Sequence, residues 1–456
     1  MAIELEIARL SKILVDAEGI HFEEAQQRLR ALTLEIVVGD GVVSRAAHAA
    51  VLTAVSLGRR TFLGGVRVLG DLDQNLNSVL PIEAMTLRSA VNKLGVSDFP
   101  GEPRHRILIG ASKVRSRAIA THWDGWTAGV HDPCAPQKSG DGSNPLAGIV
   151  AGAMAVGHAF NRVRGVEAVL PVDFSIWGLP DPPAFHEVFL PSSLWLVGLG
   201  NLGQAFVWAL ASLPYAEPAK VDIVLQDADR IDPENWGTSV LVQDGNYGML
   251  KTFLAEQWLA RSGFRIRRID RNMLASDQVR DDEPRLALWG LDRIAVRREL
   301  DGVGFDAIVD AGLGRKANDF DMFRVTVFHG GRSLESYFAG MGDPGPALVP
   351  DMVAYQALAA VDPCGAAKIA GASVAVPHVS AIAACVAIAR SIALTSNISF
   401  PVSTAQRIGD GQPRRMIPAE RADARRLSHA GRPLMTVLPP LERPAGQALV
   451  EPSVDC

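Results

Sequence analysis

Short apolar runs alternate with helical patterns over most of the 456 residues. In the second half, residues 194–197 are an apolar run, residues 198–203 have the sequence Gly-Leu-Gly-Asn-Leu-Gly, and residues 204–213 follow with a helical pattern. A short continuous apolar run bounded by turn residues is typical of a strand buried in a parallel sheet. The pattern therefore predicts a strand, a glycine-rich turn and a helix, in that order.

The same alternation predicts further elements in both halves of the chain. Strands are predicted at 106–110, 118–121, 221–225, 286–291, 305–310 and 323–328. Helices are predicted at 84–94, 146–163, 248–262, in the segment with Arg297 and Arg298, and at 379–395. Strands that alternate with helices favour an α/β fold with a mainly parallel sheet.

The glycine turn is the first candidate for binding chemistry. Without Cβ atoms, Gly198, Gly200 and Gly203 permit a tight turn and a close approach of the backbone to a phosphate. The free N–H groups and the positive dipole at the start of the next helix favour an anion. The turn therefore indicates a nucleotide, but a glycine spacing alone is weak in a chain with 42 glycines.

An acidic pair follows the next predicted strand. Asp227 and Asp229 come directly after the run 221–225, where an acid usually holds the ribose diol in this architecture. Enzymes that use NAD and enzymes that form adenylates share this feature. The alternative is structural, since both acids can also cap a turn.

Two later residues suit a polyphosphate and its metal. The charge of Lys251, on the predicted helix 248–262, suits a polyphosphate. Asp292 ends the strand at 286–291, and Mg²⁺ prefers carboxylate and phosphate oxygens. Alternatively, Lys251 is a solvated helix residue and Asp292 caps the next helix.

The order of these parts resembles the adenylation domain of the ThiF/MoeB family and of ubiquitin-activating-type enzymes. In that family a glycine loop precedes an acidic pair, an Asn with an Arg three residues later, a Lys thirteen residues further, and a strand-end Asp near a helix that carries Arg. The corresponding residues here are Gly198, Gly200, Gly203, Asp227, Asn235, Lys251 and Asp292. Thr238 replaces the family Arg, so one phosphate-neutralising charge is missing from its usual place. The resemblance implies a Rossmann-like fold with ATP and Mg²⁺ as cofactors.

The resemblance also implies a transfer cysteine. Cys364 lies in the segment Asp-Pro-Cys-Gly before the long apolar helix at 379–395, and the family places its transfer cysteine in a loop at this point. A thiolate in an exposed loop can attack an activated acyl group. The alternative is an ordinary small residue in a turn. Cys385 lies within an alanine-rich run and is predicted to be a core residue, whereas Cys134 is predicted to be a surface thiol in a loop.

The first half resembles a degenerate copy of the adenylation domain. Residues 110–113, Gly-Ala-Ser-Lys, follow a predicted strand where a glycine loop would stand, but they lack the second and third glycines. The resemblance implies a scaffold that replaces the second subunit of a ThiF/MoeB-type homodimer. Arg115 and Arg117 are candidates for the missing cation, although a solvated loop explains them more simply.

These patterns divide the chain into four parts. We expect a degenerate domain at 1–170, a proline-rich linker at 171–192, an active adenylation domain at 193–400, and a C-terminal extension at 401–456 that contains a helical pattern at 418–429.

Composition limits the class of protein. The net charge of −5 and 48% hydrophobic residues describe an ordinary globular protein and exclude a dedicated nucleic-acid binder. Four scattered cysteines, with no Cys-x-x-Cys pair, predict a reducing compartment and no all-cysteine zinc site. The start of the chain has no secretory pattern, and the apolar stretch 369–394 contains His378 and Arg390, which favours a buried helix over a membrane span. We therefore expect a cytoplasmic protein.

The resemblance implies one reaction with several alternatives. It implies ATP-dependent adenylation of the C-terminal carboxylate of a ubiquitin-like protein, thioester formation on Cys364 and transfer to a conjugating enzyme. A first alternative stops at the acyl adenylate and serves sulfur transfer or peptide modification. Two others are an NAD-dependent oxidoreductase, which would leave Lys251 and Asp292 without roles, and a non-catalytic scaffold. Whether two chains form a homodimer is left open by the sequence.

Overall fold

The computed structural model describes residues 8–78, 80–112, 118–135, 140–166, 169–330, 333–342, 349–410, 413–420 and 435–437. Six strands form a sheet in the first half: β1 (Thr33–Val38), β2 (Gly65–Gly70), β3 (His105–Ile109), β4 (Ala118–Asp124), β5 (Thr127–His131) and β6 (Val172–Ser175). Their order across the sheet is β2-β1-β3-β4-β5-β6. The first four strands in this order are parallel, and β5 and β6 are antiparallel to their neighbours.

A second sheet of eight strands follows. After the short strand β7 (Phe189–Pro191), the chain forms β8 (Ser193–Val197), β9 (Asp222–Gln226), β10 (Arg265–Ile269), β11 (Leu286–Trp289), β12 (Ala307–Leu313), β13 (Met322–His329), β14 (Phe400–Arg407) and β15 (Pro413–Glu420). The order across this sheet is β10-β9-β8-β11-β12-β13-β14-β15. The last strand, β16 (Met435–Val437), pairs with β7.

Helices cover the sheets and connect their strands. The α-helices are α1 (Ala8–Glu18), α2 (Phe22–Arg30), α3 (Arg45–Thr61), α4 (Leu87–Lys93), α5 (Pro145–Val163), α6 (Asn201–Ala211), α7 (Lys251–Arg261), α8 (Ile294–Glu299), α9 (Leu334–Tyr337), α10 (Val353–Val361), α11 (Pro363–Gly371) and α12 (Pro377–Ser396).

The two sheets are repeats of one arrangement. The six central strands of the second sheet, β9-β8-β11-β12-β13-β14, reproduce the order and the directions of the first sheet. In each half a helix follows the first strand, α3 or α6, and a long helix precedes the last strand, α5 or α12. The predicted fold class, a Rossmann-like α/β domain with an N-terminal α/β copy, is thereby confirmed.

The two halves pack through their long helices. α5 packs on α3 of its own half and on α12 of the second half, and α12 also packs on α6. A Cβ atom at Gly148 or Gly152 of α5 would lie 1.9 or 2.5 Å from a carbonyl oxygen of α3, so these glycines permit the close approach of the two helices. By length and apolar composition alone, α5 and α12 resemble membrane spans, but 83% and 94% of their apolar windows are buried in the fold. The predicted burial of α12, including Cys385, is confirmed.

The glycine turn of the first half is not where the sequence predicted it. The turn that follows the first strand β1 begins at Gly39, where a Cβ would lie 2.0 Å from the Ala111 carbonyl oxygen. Gly110 instead follows β3, the equivalent of β11, and so corresponds to Gly290. The prediction for residues 110–113 was wrong because β1, with polar Thr33 and Glu35 among its apolar residues, was not predicted as a strand. Arg115 and Arg117 lie outside the described residues.

The end of the chain also differs from expectation. Residues 418–420, predicted as the start of a helix, belong to β15, and residues 421–429 lie outside the described residues. β14 and β15 continue the second sheet past residue 400, and β6 of the first sheet lies in the stretch 171–192 that was expected to be a linker. Sheet pairing, which short-range patterns do not reveal, accounts for these differences.

A pair of buried histidines lies where α5 meets α12. His158 and His378 are 4% and 2% exposed. Burial lowers the pKa of His158 to about 4, with Arg162 contributing, and lowers the pKa of His378 to about 3, with His158 contributing. Both rings are therefore neutral in the folded protein at neutral pH.

The two buried histidines predict that the protein becomes less stable in acid. Unfolded histidines bind protons below about pH 6.5, whereas His158 resists protonation down to about pH 4. The free energy of unfolding should therefore fall as the pH drops from 6.5 to 4, and this histidine alone accounts for about 3 kcal/mol. In denaturant titrations, the free energy of unfolding of His158→Gln should fall less over this pH range than that of wild type. The variant His21→Gln, at an exposed position, should behave like wild type. Parallel profiles for His158→Gln and wild type would contradict this assignment.

Candidate nucleotide site

The candidate residues meet at the carboxyl edge of the second sheet. β8 lies between β9 and β11, and all three are parallel, so the segments that follow them emerge side by side. The chain moves from β8 to β9 on one side and later returns to β11 on the other. Ligands of open α/β sheets bind in the crevice at such a switch in strand order.

The glycine turn after β8 is tightly constrained on one face and open on the other. Gly198 has a φ of +82°, and a Cβ at Gly203 would lie 2.1 Å from the Gly198 carbonyl oxygen. A Cβ at Gly200 would meet no heavy atom within 4 Å. Gly200 is also the N-cap of α6, and no described side chain caps that helix. The start of α6 at Gly200 therefore borders open space, and a helix N-terminus suits an anion.

Asp227 locks the turn to the end of β9. Its Oδ2 accepts the Leu199 N–H at 2.5 Å, and its Oδ1 accepts the Asp229 N–H at 2.7 Å. Burial raises the pKa of this carboxyl above its ordinary value, while Lys251 and the two backbone N–H groups oppose the rise. Asp227 thus shapes the site before any ligand is bound.

Asp229 and Lys251 form a bridge beside the turn. The Lys251 Nζ lies 2.7 Å from the Asp229 Oδ2, and the Lys251 backbone N–H donates to the Asp229 carbonyl oxygen at 3.0 Å. Lys251 is 9% exposed, whereas the Asp229 side chain is 66% exposed. Of the two acids, Asp227 and Asp229, the exposed Asp229 is therefore the one with room to bind hydroxyl groups of a ligand.

Asn235 lies in a short 3₁₀ turn, Pro233–Asn235, before a compact loop. Its Oδ1 accepts the Asp232 N–H at 2.9 Å, which leaves its amide N–H groups as donors. Its carbonyl oxygen accepts the N–H groups of Thr238 at 3.3 Å and Ser239 at 2.9 Å. Thr238, the residue that replaces the family Arg, is 2% exposed.

Glu234 connects this loop to two distant helices. Its carboxylate lies 3.1 Å from the Arg9 Nε of α1 and 2.8 Å from the Lys368 Nζ of α11. Burial alone would raise the pKa of Glu234, but Lys368 and Arg9 lower it below the ordinary value. Arg9 and Lys368 thus bring positive charge close to Asn235, near the place of the missing family Arg.

Cys364 lies in a helix and not in the predicted loop. It is the second residue of α11, whose N-cap Asp362 accepts the Gly365 N–H at 2.8 Å. The Cys364 thiol is exposed, as predicted, and so is Cys134. The Asp-Pro-Cys-Gly sequence, taken as a loop signal, is a helix start, since Asp caps and Pro is tolerated in the first turn. Lys368, one turn further along α11, connects this helix to Glu234.

Asp292 is exposed and follows β11, next to the glycine turn. Arg297 holds the preceding backbone: it donates to the Leu291 carbonyl oxygen at 2.6 Å and to the Asp310 Oδ1 at 2.7 Å. Asp310 is fully buried, and burial raises its pKa while Arg297 and Arg324 oppose the rise. The buried pair fixes the loop that presents Asp292.

The site fits a nucleotide better than it fits a metal alone. The open face at Gly200 and the exposed acid Asp229 leave room for a phosphate and a ribose. Among the described residues, no group of three or more His, Cys, Asp or Glu side chains could hold a metal ion. Mg²⁺ would therefore need phosphate oxygens in addition to Asp292, which is its usual mode with nucleotides.

Comparison with known proteins gives the family. Residues 33–170 match the model of the BilD N-terminal domain, and residues 190–397 match the BilD C-terminal domain. The bacterial E1-like protein BilD of Collimonas sp. (strain OK412) is 35% identical over 401 residues, which cover 83% of this chain and 86% of that protein. The chain belongs to the BilD family of bacterial E1-like proteins. The predicted E1-like character is confirmed by this BilD relationship.

A weaker likeness is to solved structures of E. coli MccB. Crystal structures of E. coli MccB alone and with ATP are 13% and 14% identical, with TM-scores of 0.33 and 0.32. They cover 56% and 51% of this chain and 68% and 65% of the MccB chains.

Two glycines of the turn provide a matched test of this geometry. Gly203→Ala should lower the free energy of unfolding by about 1–3 kcal/mol because its Cβ would strike the Gly198 carbonyl oxygen. Gly200→Ala should lower it by less than about 1 kcal/mol, since its Cβ enters open space and only the N-cap preference for Gly over Ala is lost. Gly200→Ala should nevertheless weaken nucleotide binding, because its methyl group occupies the open face. Denaturant titration and calorimetry measure the two effects, and equal stability of both variants would contradict the described turn.

Proposed function

We propose that this protein adenylates the C-terminal carboxylate of a ubiquitin-like protein with ATP. The observation that carries the proposal is the convergence, at one edge of the second sheet, of an uncapped glycine turn, the acids Asp227 and Asp229, and the buried cation Lys251. Membership in an E1-like family supports the same chemistry. Each part has a use in adenylation, whereas hydride transfer to NAD would leave Lys251 and Asp292 without roles.

The proposed first step is displacement at the α-phosphate. A carboxylate oxygen of the substrate attacks the α-phosphorus, the bond from that phosphorus to the β-phosphate oxygen breaks, and pyrophosphate leaves. Substrate and triphosphate are both anionic, so the site must supply positive charge. The N–H groups of the glycine turn and Lys251 would stabilise the charge on the phosphates. Mg²⁺ held near Asp292 would neutralise phosphate oxygens.

The remaining residues would orient the nucleotide. Asp227 already accepts two backbone N–H groups, so the exposed Asp229 would carry much of the ribose contact beside it. The amide N–H groups of Asn235 would bind a phosphate or the acyl group. Arg9 and Lys368 would supply the charge that Thr238 lacks, since both already lie on Glu234 next to Asn235.

Cys364 would take the acyl group in a second step. Its thiolate attacks the acyl carbon, AMP leaves, and a thioester remains that a cysteine of a conjugating enzyme can exchange. The exposed thiol and the ion pair from Lys368 to Glu234, which connects its helix to the Asn235 loop, support this role. The proposal places the enzyme in the cytoplasm, as the scattered cysteines of the sequence predict.

Pyrophosphate exchange separates the steps. With a cognate ubiquitin-like protein, wild type should catalyse exchange between ATP and pyrophosphate. Lys251→Met and Asp292→Asn should each lower the exchange rate at least about a hundredfold through loss of phosphate stabilisation. Cys364→Ala should retain exchange but lose a thiol-reducible adduct on a non-reducing gel.

The controls distinguish the alternatives. Cys134→Ala removes another exposed cysteine and should leave the adduct intact. An adduct that persists in Cys364→Ala, with exchange unchanged, would favour an enzyme that stops at the acyl adenylate. Absence of exchange with every carboxylate partner, together with NAD binding, would refute adenylation.

A further inference from the structure

One face of α3, in the first half of the chain, contacts the second half beside the nucleotide site. Thr53, Ser56 and Arg60 lie three and four residues apart, so their side chains share a helix face. Thr53 accepts the Trp208 indole N–H at 3.1 Å, and the Ser56 hydroxyl donates to the Val240 carbonyl oxygen at 3.3 Å. This face therefore contacts both α6 and the loop that follows Asn235.

Arg60 makes the largest set of these contacts. Its guanidinium donates to the carbonyl oxygens of Ser239 and Val240, both at 3.1 Å, and of Val242. A fourth donor bonds to the Ser56 carbonyl oxygen of its own helix at 2.9 Å. The residue has no measurable exposure, and burial lowers its pKa to about 9. Its guanidinium also lies 5.8 Å from the centre of the Trp236 ring. A buried cation bonded to neutral carbonyl oxygens is costly to desolvate, and its retention calls for a reason.

Hydrogen bonds connect the loop whose carbonyl groups Arg60 binds to the residues of the nucleotide site. The Ser239 peptide donates its N–H to the Asn235 carbonyl oxygen at 2.9 Å and accepts Arg60 through its own carbonyl. The Leu241 N–H donates to the Gln204 Oε1 at 3.3 Å, and the Gln204 Nε2 donates to the Leu199 carbonyl oxygen at 3.4 Å. One chain of hydrogen bonds thus runs from Arg60 to Asn235, and another passes from the same loop to the glycine turn.

We propose that Arg60 is a positioning residue: from the first half of the chain it holds loop 236–243, and thereby Asn235 and the glycine turn, in the shape that admits the nucleotide. The proposal rests on the proposed function for its ligand and on the geometry for the loop. Arg60 does not touch the nucleotide, because its donors are directed at carbonyl oxygens of the loop and of its own helix.

Arg390 offers a matched control. It too is fully buried, its pKa is also lowered to about 9 by burial, and it too donates to backbone carbonyl oxygens, those of Ile176 and Trp177. Its partners lie away from the nucleotide loop. Loss of either guanidinium should lower stability, but only loss of Arg60 should disturb the loop.

The experiment uses the full chain with Arg60→Met, Arg60→Lys and Arg390→Met. Calorimetric titration with ATP and Mg²⁺ should give a dissociation constant about tenfold higher for Arg60→Met, an intermediate value for Arg60→Lys, and one within about twofold of wild type for Arg390→Met. Hydrogen exchange should accelerate at the amides of Ser239, Leu241 and Val242 in Arg60→Met, and not in Arg390→Met.

The outcomes are distinguishable. Unchanged ATP affinity with unchanged loop protection in Arg60→Met, or equal effects in Arg390→Met, would overturn the positioning role. If wild type itself fails to bind ATP, the proposed function fails, and hydrogen exchange alone decides on Arg60: selective loss of loop protection supports the role and unchanged protection overturns it. If Arg60→Met does not fold, Arg60→Lys and Ser56→Ala decide by the same measurements.

Discussion

The close approach of Gly203 to the Gly198 carbonyl oxygen is the constraint on which the site depends. No Cβ fits there, and only because it is absent can α6 begin directly against the end of β8. The helix start then faces the sheet edge with its N–H groups unused by side chains. Asp227 fixes the turn from the side through the Leu199 N–H, and Asp229 holds Lys251 next to it. A single backbone contact thus brings acids, cation and anion-binding amides together.

The two halves share a topology but differ at this helix start. In the first half, Ser44 caps α3 by accepting the Ala47 N–H at 3.1 Å, and the Ala46 N–H donates to the Gly142 carbonyl oxygen. The helix end that would bind an anion is therefore already satisfied. Near its other end, α3 contacts the second half through Arg60, which donates to the Ser239 carbonyl oxygen. The second half thus contains the open turn, and the first half supports the loop beside it.

The sequence predicts what depends on near neighbours. The turn Gly198–Gly203 and the acids after β9 follow from spacing of a few residues, and so do the long buried helices and the fold class. Arg60 and Glu234 escaped prediction because their partners lie far along the chain: Arg60 bonds 179 residues away and Arg9 meets Glu234 across 225. Cys364 was placed in a loop because Pro and Gly signal turns as well as helix starts. No local signal separates these cases.

The most direct test of the account is the stoichiometry of nucleotide binding. Among the residues that the structure describes, only the second half has an open helix start beside paired acids and a lysine, so wild type should bind one ATP per chain. The measurement is calorimetric titration with ATP and Mg²⁺, and in parallel with NAD. The account predicts one saturable ATP site, lost in Lys251→Met, and no comparable binding of NAD. Two ATP sites per chain, or binding of NAD in preference to ATP, would contradict it.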